Sequence, residues 1–339
     1  MGVQLRVDEP ESMLCAASAQ HVGITEESVT HLKIARRSLD ARRRGRKHDL
    51  RFVYHVDLTL SESSSALEEA LARGAAREIS PEVGFVLEDV SASQRQQRIA
   101  VVGAGPAGLY AAWTLAANGV GVDLLDRGPV LSERGGAVAR FTRTRELDPE
   151  RNLLFGEGGA GTYSDGKLYT RTQHPIEGAI LKTLIEAGAD PEIAFDARAH
   201  VGTDRLHRIL PRLRERLVEM GVRFHFDTKV EGMVTGPDGE SVRALRTSAG
   251  EMVCDGVVLA LGHSARDTLR SLHAEGVMLE AKPFQIGLRI EHPQSLIDLG
   301  RFGAGADLDR LGHAYYSLCL LYTSPSPRDQ RGSRMPSSA

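Results

Sequence analysis

The six residues Gly103-Ala104-Gly105-Pro106-Ala107-Gly108 put three glycines at G-x-G-x-x-G spacing. The chemistry open to that spacing is the grip of a diphosphate by bare backbone amides. The first glycine permits a tight turn, the second lets the backbone approach a pyrophosphate, and the third lets a helix pack closely on a strand. A second cluster runs Phe155-Gly156-Glu157-Gly158-Gly159-Ala160-Gly161-Thr162-Tyr163-Ser164-Asp165-Gly166-Lys167-Leu168. Backbone so poor in side chains suits close approach by a flat ring or a diphosphate, with a surface loop as the alternative.

A glycine pattern alone is weak, so the elements around it must be right. Ile99 to Val102 is a short apolar run of buried parallel-strand character. After the loop, Leu109, Ala112, Trp113 and Ala116 fall at i, i+3, i+4 and i+7, and Gly119 sits where a helix C-terminus wants left-handed backbone. The amides and dipole at that helix's start favour a phosphate. Val120 to Leu125 then form a second strand ending in Asp126, about twenty residues beyond the loop, whose carboxylate can accept ribose hydroxyls. An acid there argues against a 2′-phosphate, although Arg127 stands beside it. Strand, turn, helix, strand and acid together read as a dinucleotide site.

Further along, Leu206, Ile209, Leu210, Leu213 and Leu217 mark an amphipathic helix closed by Gly221, which Pro211 must kink or push to a later start. The strand of Val222, Phe224 and Phe226 leads to Thr228, Lys229 and Val230. Turns at 236–239 and 248–250 separate short β segments, and a buried strand over Val257 to Leu261 stops at Gly262. Ser264 with Asp267 three residues on reads as a capping box.

The 339 residues have room for about two domains. The first ninety read as a small α/β unit: a strand at Gln4 to Val7, a helix opening at Pro10 and alternation from Thr30 to Arg36. The clearest strand follows, with Phe52, Tyr54, Val56, Leu58 and Leu60 on one face, before a helix carrying Leu67, Ala70, Leu71 and Ala75. That order resembles a ferredoxin-like α+β sandwich. Between its two middle strands lie Arg36, Arg37, Arg42, Arg43, Arg44, Arg46, Lys47 and Arg51, a locally basic turn. With 42 Lys+Arg against 45 Asp+Glu, however, no global field draws nucleic acid or an anionic membrane. Cys15, Cys254 and Cys319 show no C-x-x-C spacing, and no metal-ligand pattern is present, which fits a reducing cytosol. The first residues lack the apolar core of a signal peptide, and no apolar run reaches the roughly twenty residues of a membrane span. The expected location is cytoplasmic, without membrane contact.

A β-meander interrupting the sheet, followed by a strand that ends in glycine, resembles FAD-binding domains of the glutathione-reductase type. More specifically, the chain resembles the uncharacterised bacterial FAD-dependent dehydrogenases often labelled NAD(FAD)-utilizing dehydrogenases. The carrying segments are Val101 to Leu109, Phe155 to Leu168, Gly262 to Thr268 and Lys282 to Gln294. The resemblance implies a Rossmann-like FAD/NAD(P)-binding α/β domain whose dinucleotide lies across Gly103, Gly105, Pro106, Ala107, Gly108, Asp126, Arg127, Gly158 and Gly159, with backbone near Val230 and Gly262. It names no substrate and supplies no catalytic residue. The implied organisation is an N-terminal domain over 1–90, a linker at 91–97, an FAD-binding domain over 98–275, the start of a substrate domain over 276–321, and a disordered tail over 322–339. Where the family continues through a Cys-Pro-Gly-Gly-like turn, this chain runs into Leu320-Leu321-Tyr322-Thr323-Ser324-Pro325, so it is expected to be a truncated member with an incomplete FAD-binding domain.

The expectation is therefore an FAD-dependent oxidoreductase acting on a small molecule, with NAD(P)H reaching the flavin transiently as electron donor. His263, Lys167 and Arg289 are cations that could stabilise an anionic reduced ring, although each reads first as structural. Cys319 lacks the neighbouring thiol that a disulfide mechanism requires. The competing reading is a non-catalytic flavin- or RNA-binding protein that uses the basic turn. Phe52 and Tyr54 share a face with Val56 and Leu58, however, and look like core rather than base-stacking platforms.

Overall fold

The computed structural model describes residues 2–44, 47–61, 65–79, 86–164, 166, 174–197, 201–239, 241–282 and 290–316. Lys167, Arg289, Cys319 and the tail over 322–339 lie outside these residues. The chain forms two compact units, Met1–Glu78 with Phe284–Ala339, and Ile79–Pro283.

The first unit opens with β1 (Val3–Arg6), α1 (Leu14–Val22), β2 (Val29–Asp40), the two-residue strands β3 (Arg43–Arg44) and β4 (Lys47–His48), β5 (Arg51–Leu60) and α2 (Ser65–Ala72). Its sheet order is β1-β5-β2 with both pairings antiparallel. This is the split β-α-β arrangement of ferredoxin-like folds. Val3, Leu5, Leu14 and Tyr54 form its buried core, with Phe52 and Val56 packed against it. The aromatics of β5 are therefore core, and no stacking platform for RNA bases is built from them. Arg36 and Arg37 fall inside β2, and Arg51 opens β5, so the basic turn is shorter than the sequence implied.

The second unit carries α3 (Ala92–Arg95), β6 (Arg98–Val102), α4 (Pro106–Ala117), β7 (Gly121–Leu125), α5 (Leu131–Thr144), α6 (Ile176–Glu186), α7 (Thr203–Glu219), β8 (Arg223–His225), β9 (Val230–Thr235), β10 (Val242–Thr247), β11 (Gly250–Val253), β12 (Gly256–Leu259) and α8 (Arg266–Ala274). The main sheet runs β12-β6-β7-β8, all parallel, while β9 to β11 form the expected antiparallel meander. Side chains alternate across a strand: Val101, Val122 and Leu124 enter a core with Leu109, Leu213 and Leu217, whereas Ala100, Val102 and Leu125 meet Val230, Leu245 and Cys254 of the meander. A parallel sheet covered on both faces, with a glycine turn after its first strand, is a Rossmann-like α/β fold.

Four local readings need correction or completion. α7 begins at Thr203 and keeps Pro211 inside, so the proline does not delay its start. The capping box at Ser264 does not form: Ala265 is the N-cap of α8, without a side-chain cap, and Asp267 is engaged elsewhere. Ser91, in the stretch read as a linker, caps α3 reciprocally with Gln94. The helix α5 was not anticipated, because its stretch is polar and contains Gly135-Gly136. Two later helices, α9 (Gln294–Phe302) and α10 (Leu308–Leu311), belong to the first unit, where Phe302 and Ala314 pack with Ala41. Among the described residues, no helix is long and apolar enough to cross a membrane.

Candidate functional site

The first glycine loop leaves β6 at Val102 and enters α4 at Pro106. Gly103 has φ +112°, and a Cβ there would strike the Ala260 carbonyl at the end of β12, so both conformation and space demand glycine. Gly108 lies against the Gly103 carbonyl so closely that a Cβ would collide with it. Between them, Gly105 is the N-cap of α4 and offers no side-chain acceptor to the first turn, while Pro106 gives up no bond at N1. Helix-start amides without a side-chain cap are the feature that a diphosphate oxygen would satisfy.

At the end of β7 the Asp126 carboxylate is 7% exposed and turned onto backbone. Its Oδ2 accepts the Ala104 N–H at 2.7 Å, and its Oδ1 accepts those of Gly128 at 2.8 Å and Gly156 at 2.7 Å. In this conformation Asp126 ties the first glycine loop to the second. Burial pushes its carboxyl pKa up, against the lowering effect of the three amides.

Beside it, Val102, Gly103, Asp126, Arg127, Phe155, Thr228, Lys229, Val230, Leu261, Ala265 and Thr268 line a narrow crevice of about 30 Å³. The Arg127 guanidinium lies over the Phe155 ring at 4.4 Å and bonds to both Glu150 and Asp267; Lys229 reaches the same two carboxylates at 3.3 and 2.8 Å. Two cations and two anions thus form a closed network beside the crevice. The Arg127 bond, aided by Lys229, holds the Asp267 carboxyl well below the usual carboxylate range, and Arg127 does the same to Glu150.

The second glycine loop rests directly on the first. Gly158 donates its N–H to the Ala104 carbonyl at 2.8 Å, and a Cβ on Gly159 would stand 3.0 Å from the Gly105 Cα. Its organiser is Arg134 of α5, which is 1% exposed. The Nη1 of Arg134 donates to the carbonyls of Glu157 (2.6 Å) and Gly159 (2.9 Å) and to Thr162 Oγ1 (3.1 Å), and its Nη2 donates to the Leu153 carbonyl (3.1 Å). Glu157, also buried, accepts the Leu131 N–H at 2.8 Å and Arg214 Nη1 at 3.0 Å. Burial lowers the Arg134 pKa and raises that of Glu157.

Of the residues expected from sequence, Gly103, Asp126, Arg127 and Val230 meet in the crevice, while Gly105, Pro106, Gly158 and Gly159 meet at the contact between the two loops. Ala107 and Gly108 lie in the first turn of α4. Gly262 follows the crevice residue Leu261 with φ +68°, exposed, and His263 beside it is exposed and outside the lining. Sequence reasoning missed Arg134, Glu150, Glu157 and Phe155 as site-builders, and assigned Asp267 a different task.

The residues fit a dinucleotide in part. The uncapped α4 turn with Gly105 and Gly159 suits a diphosphate, whereas a crevice with room for only a water or two must widen before it can take a base.

Comparison with known proteins points the same way. Residues 101–150 match the family model of the NAD(P)-binding Rossmann-like domain, and residues 2–59 match a Domain of unknown function (DUF8436). An uncharacterized protein of Clostridium beijerinckii is 35% identical over 318 residues, covering 93% of this chain and 58% of that protein. Kynurenine 3-monooxygenase of Salinispora arenicola is 28% identical over 225 residues, covering 61% of this chain and 42% of the enzyme. The chain thus spans about half the length of these relatives. Among solved structures, Thermovibrio ammonificans THI4 is similar at 18% identity and a TM-score of 0.36, covering 55% of this chain and 65% of that one. The match over residues 101–150, to an NAD(P)-binding Rossmann-like domain, falls on the parallel sheet and its glycine turn.

Proposed function

We propose that the chain is the nucleotide-binding part of a cytoplasmic FAD-dependent oxidoreductase acting on a small-molecule substrate, with NAD(P)H as a transient electron donor. The observation that carries this reading is the contact of two glycine loops at an α4 N-terminus with no side-chain cap. Gly105, Ala107 and Gly108 would hold the diphosphate together with the loop at Gly158 and Gly159, and the crevice lined by Arg127, Thr228 and Val230 would receive the adenosine. When bound, FAD supplies two-electron transfer. The chain's own residues position the nucleotide: Asp126 fixes the glycine loop, Arg134 fixes the second loop, and the Arg127–Asp267 pair must open for the crevice to admit a base.

The test is to purify the chain in the presence of FAD and add NADH or NADPH without oxygen. Yellow protein that bleaches on addition supports the reading. A folded, colourless protein whose melting temperature FAD does not move contradicts it.

A further inference from the structure

A second cavity in the nucleotide-binding unit, about 310 Å³ and roughly ten times the crevice, is lined by Leu131, Ser132, Gly135, Tyr163, His207 and Pro211. It shares no lining residue with the crevice. Two polar atoms in its wall, the Tyr163 hydroxyl and His207 Nε2, are closed off from water and have no hydrogen-bond partner among the described residues. Buried polar groups are nearly always paired, so two orphans on one cavity wall call for an occupant. Their rings meet edge to face at 5.5 Å. Pro211 adds to the pattern, because it has no amide N–H to give the His207 carbonyl one turn earlier.

A buried guanidinium stands beside this wall. The Arg134 guanidinium lies 4.9 Å from the Tyr163 ring centroid, and its Nε–H is also buried without a partner among the described residues. Arg214 bonds the Glu157 carboxylate, and Arg134 interacts electrostatically with both Asp126 and Glu157, so the two guanidiniums are matched by two carboxylates. Tyr163 stays a protonated donor, since burial raises its pKa despite the opposing effect of Arg134. The unpaired Tyr163 hydroxyl and Arg134 Nε–H favour an acceptor oxygen, and Leu131, Pro211 and the two rings favour an apolar body.

From this geometry we infer that the cavity is a binding site for a small carboxylic acid with an apolar or aromatic body, its carboxylate received by Tyr163 and His207. Both rings must turn slightly to meet it, because neither atom is open to water in this conformation. The inference goes beyond the flavin reading and does not depend on it.

Benzoate is the probe, titrated calorimetrically into the full chain, with benzyl alcohol as the neutral counterpart. Saturable one-to-one binding of benzoate, about tenfold or more tighter than the alcohol, is expected. Tyr163→Phe and His207→Gln should each weaken it roughly tenfold. Gly135→Leu provides a variant that should fold, because a Cβ at Gly135 meets nothing within 4 Å, and it should abolish binding by filling the cavity. Saturating FAD should leave benzoate affinity unchanged. The inference is overturned by absence of benzoate binding, by equal affinity for the alcohol, by unaltered binding in the three variants, or by loss of binding with FAD, which would assign the cavity to the flavin.

Discussion

The two glycine loops touch each other yet are built by different means. The loop at Gly103 to Gly108 is set mainly by its neighbours in sequence: a buried strand leads in, a helix leads out, and Gly108 meets the Gly103 carbonyl, while the Ala260 carbonyl adds the demand for glycine at 103. The loop at Gly156 to Tyr163 is set from a distance, by a buried guanidinium on α5 some twenty residues earlier that gathers three carbonyls and a hydroxyl. A locally determined loop fails by steric clash, while a remotely determined one fails by losing its tether.

The largest effect should come from that tether. Arg134→Met leaves several buried acceptors unpaired, each worth about 1–3 kcal/mol. It should lower stability in a denaturant melt by roughly 3 kcal/mol or more, whereas a surface arginine such as Arg140 should have almost no effect. Next, Gly108→Ala forces a methyl onto the Gly103 carbonyl and should cost about 1–3 kcal/mol in the same melt. Gly105→Ala should separate stability from binding. Its Cβ would meet only the Gly159 Cα at 3.8 Å, so the melt should move by no more than about 0.5 kcal/mol while nucleotide affinity falls. Equal destabilisation at Gly105 and Gly108 would show that this contact between the loops is structural only.

The smallest effect concerns the charge network at the crevice. Asp267 and Glu150 have lowered pKa values, through Arg127 first. Their contribution to stability is therefore present above the ordinary carboxyl range, near pH 4, and is lost as pH falls below it toward the lowered values. The melting-temperature gap between the chain and Asp267→Asn should be modest at neutral pH, because Asp267 is half exposed, and should shrink below about pH 4. A gap that widens in acid would contradict the assigned pairing.

This contrast also explains what could be read without coordinates. Ile99 to Gly119 forms strand, turn and helix as its periodicity implies, because its apolar spacing and turn glycines act locally, even though Gly103 also meets the distant Ala260 carbonyl. Arg134 was invisible because nothing in its polar, glycine-containing surroundings distinguishes a buried organiser from a solvated arginine. Asp267 was misread for a related reason. Ser-x-x-Asp spacing matches a local cap, but a bidentate bond to Arg127, 140 residues away in sequence, takes the carboxylate instead. Pro211 was expected to kink α7 or set its start later; the start is not delayed, for the helix begins at Thr203 and runs through Pro211, with Ile209, Leu210, Leu213 and Leu217 all buried.

The most direct test of the dinucleotide site is an equilibrium titration of the full chain with FAD, followed by quenching of the flavin's own fluorescence, beside the Gly105→Val variant. One FAD should bind per chain, and the variant should bind none while melting within a few degrees of its parent. Identical binding by both proteins, or no binding by either while both are folded, would show that the paired glycine loops do not hold the nucleotide.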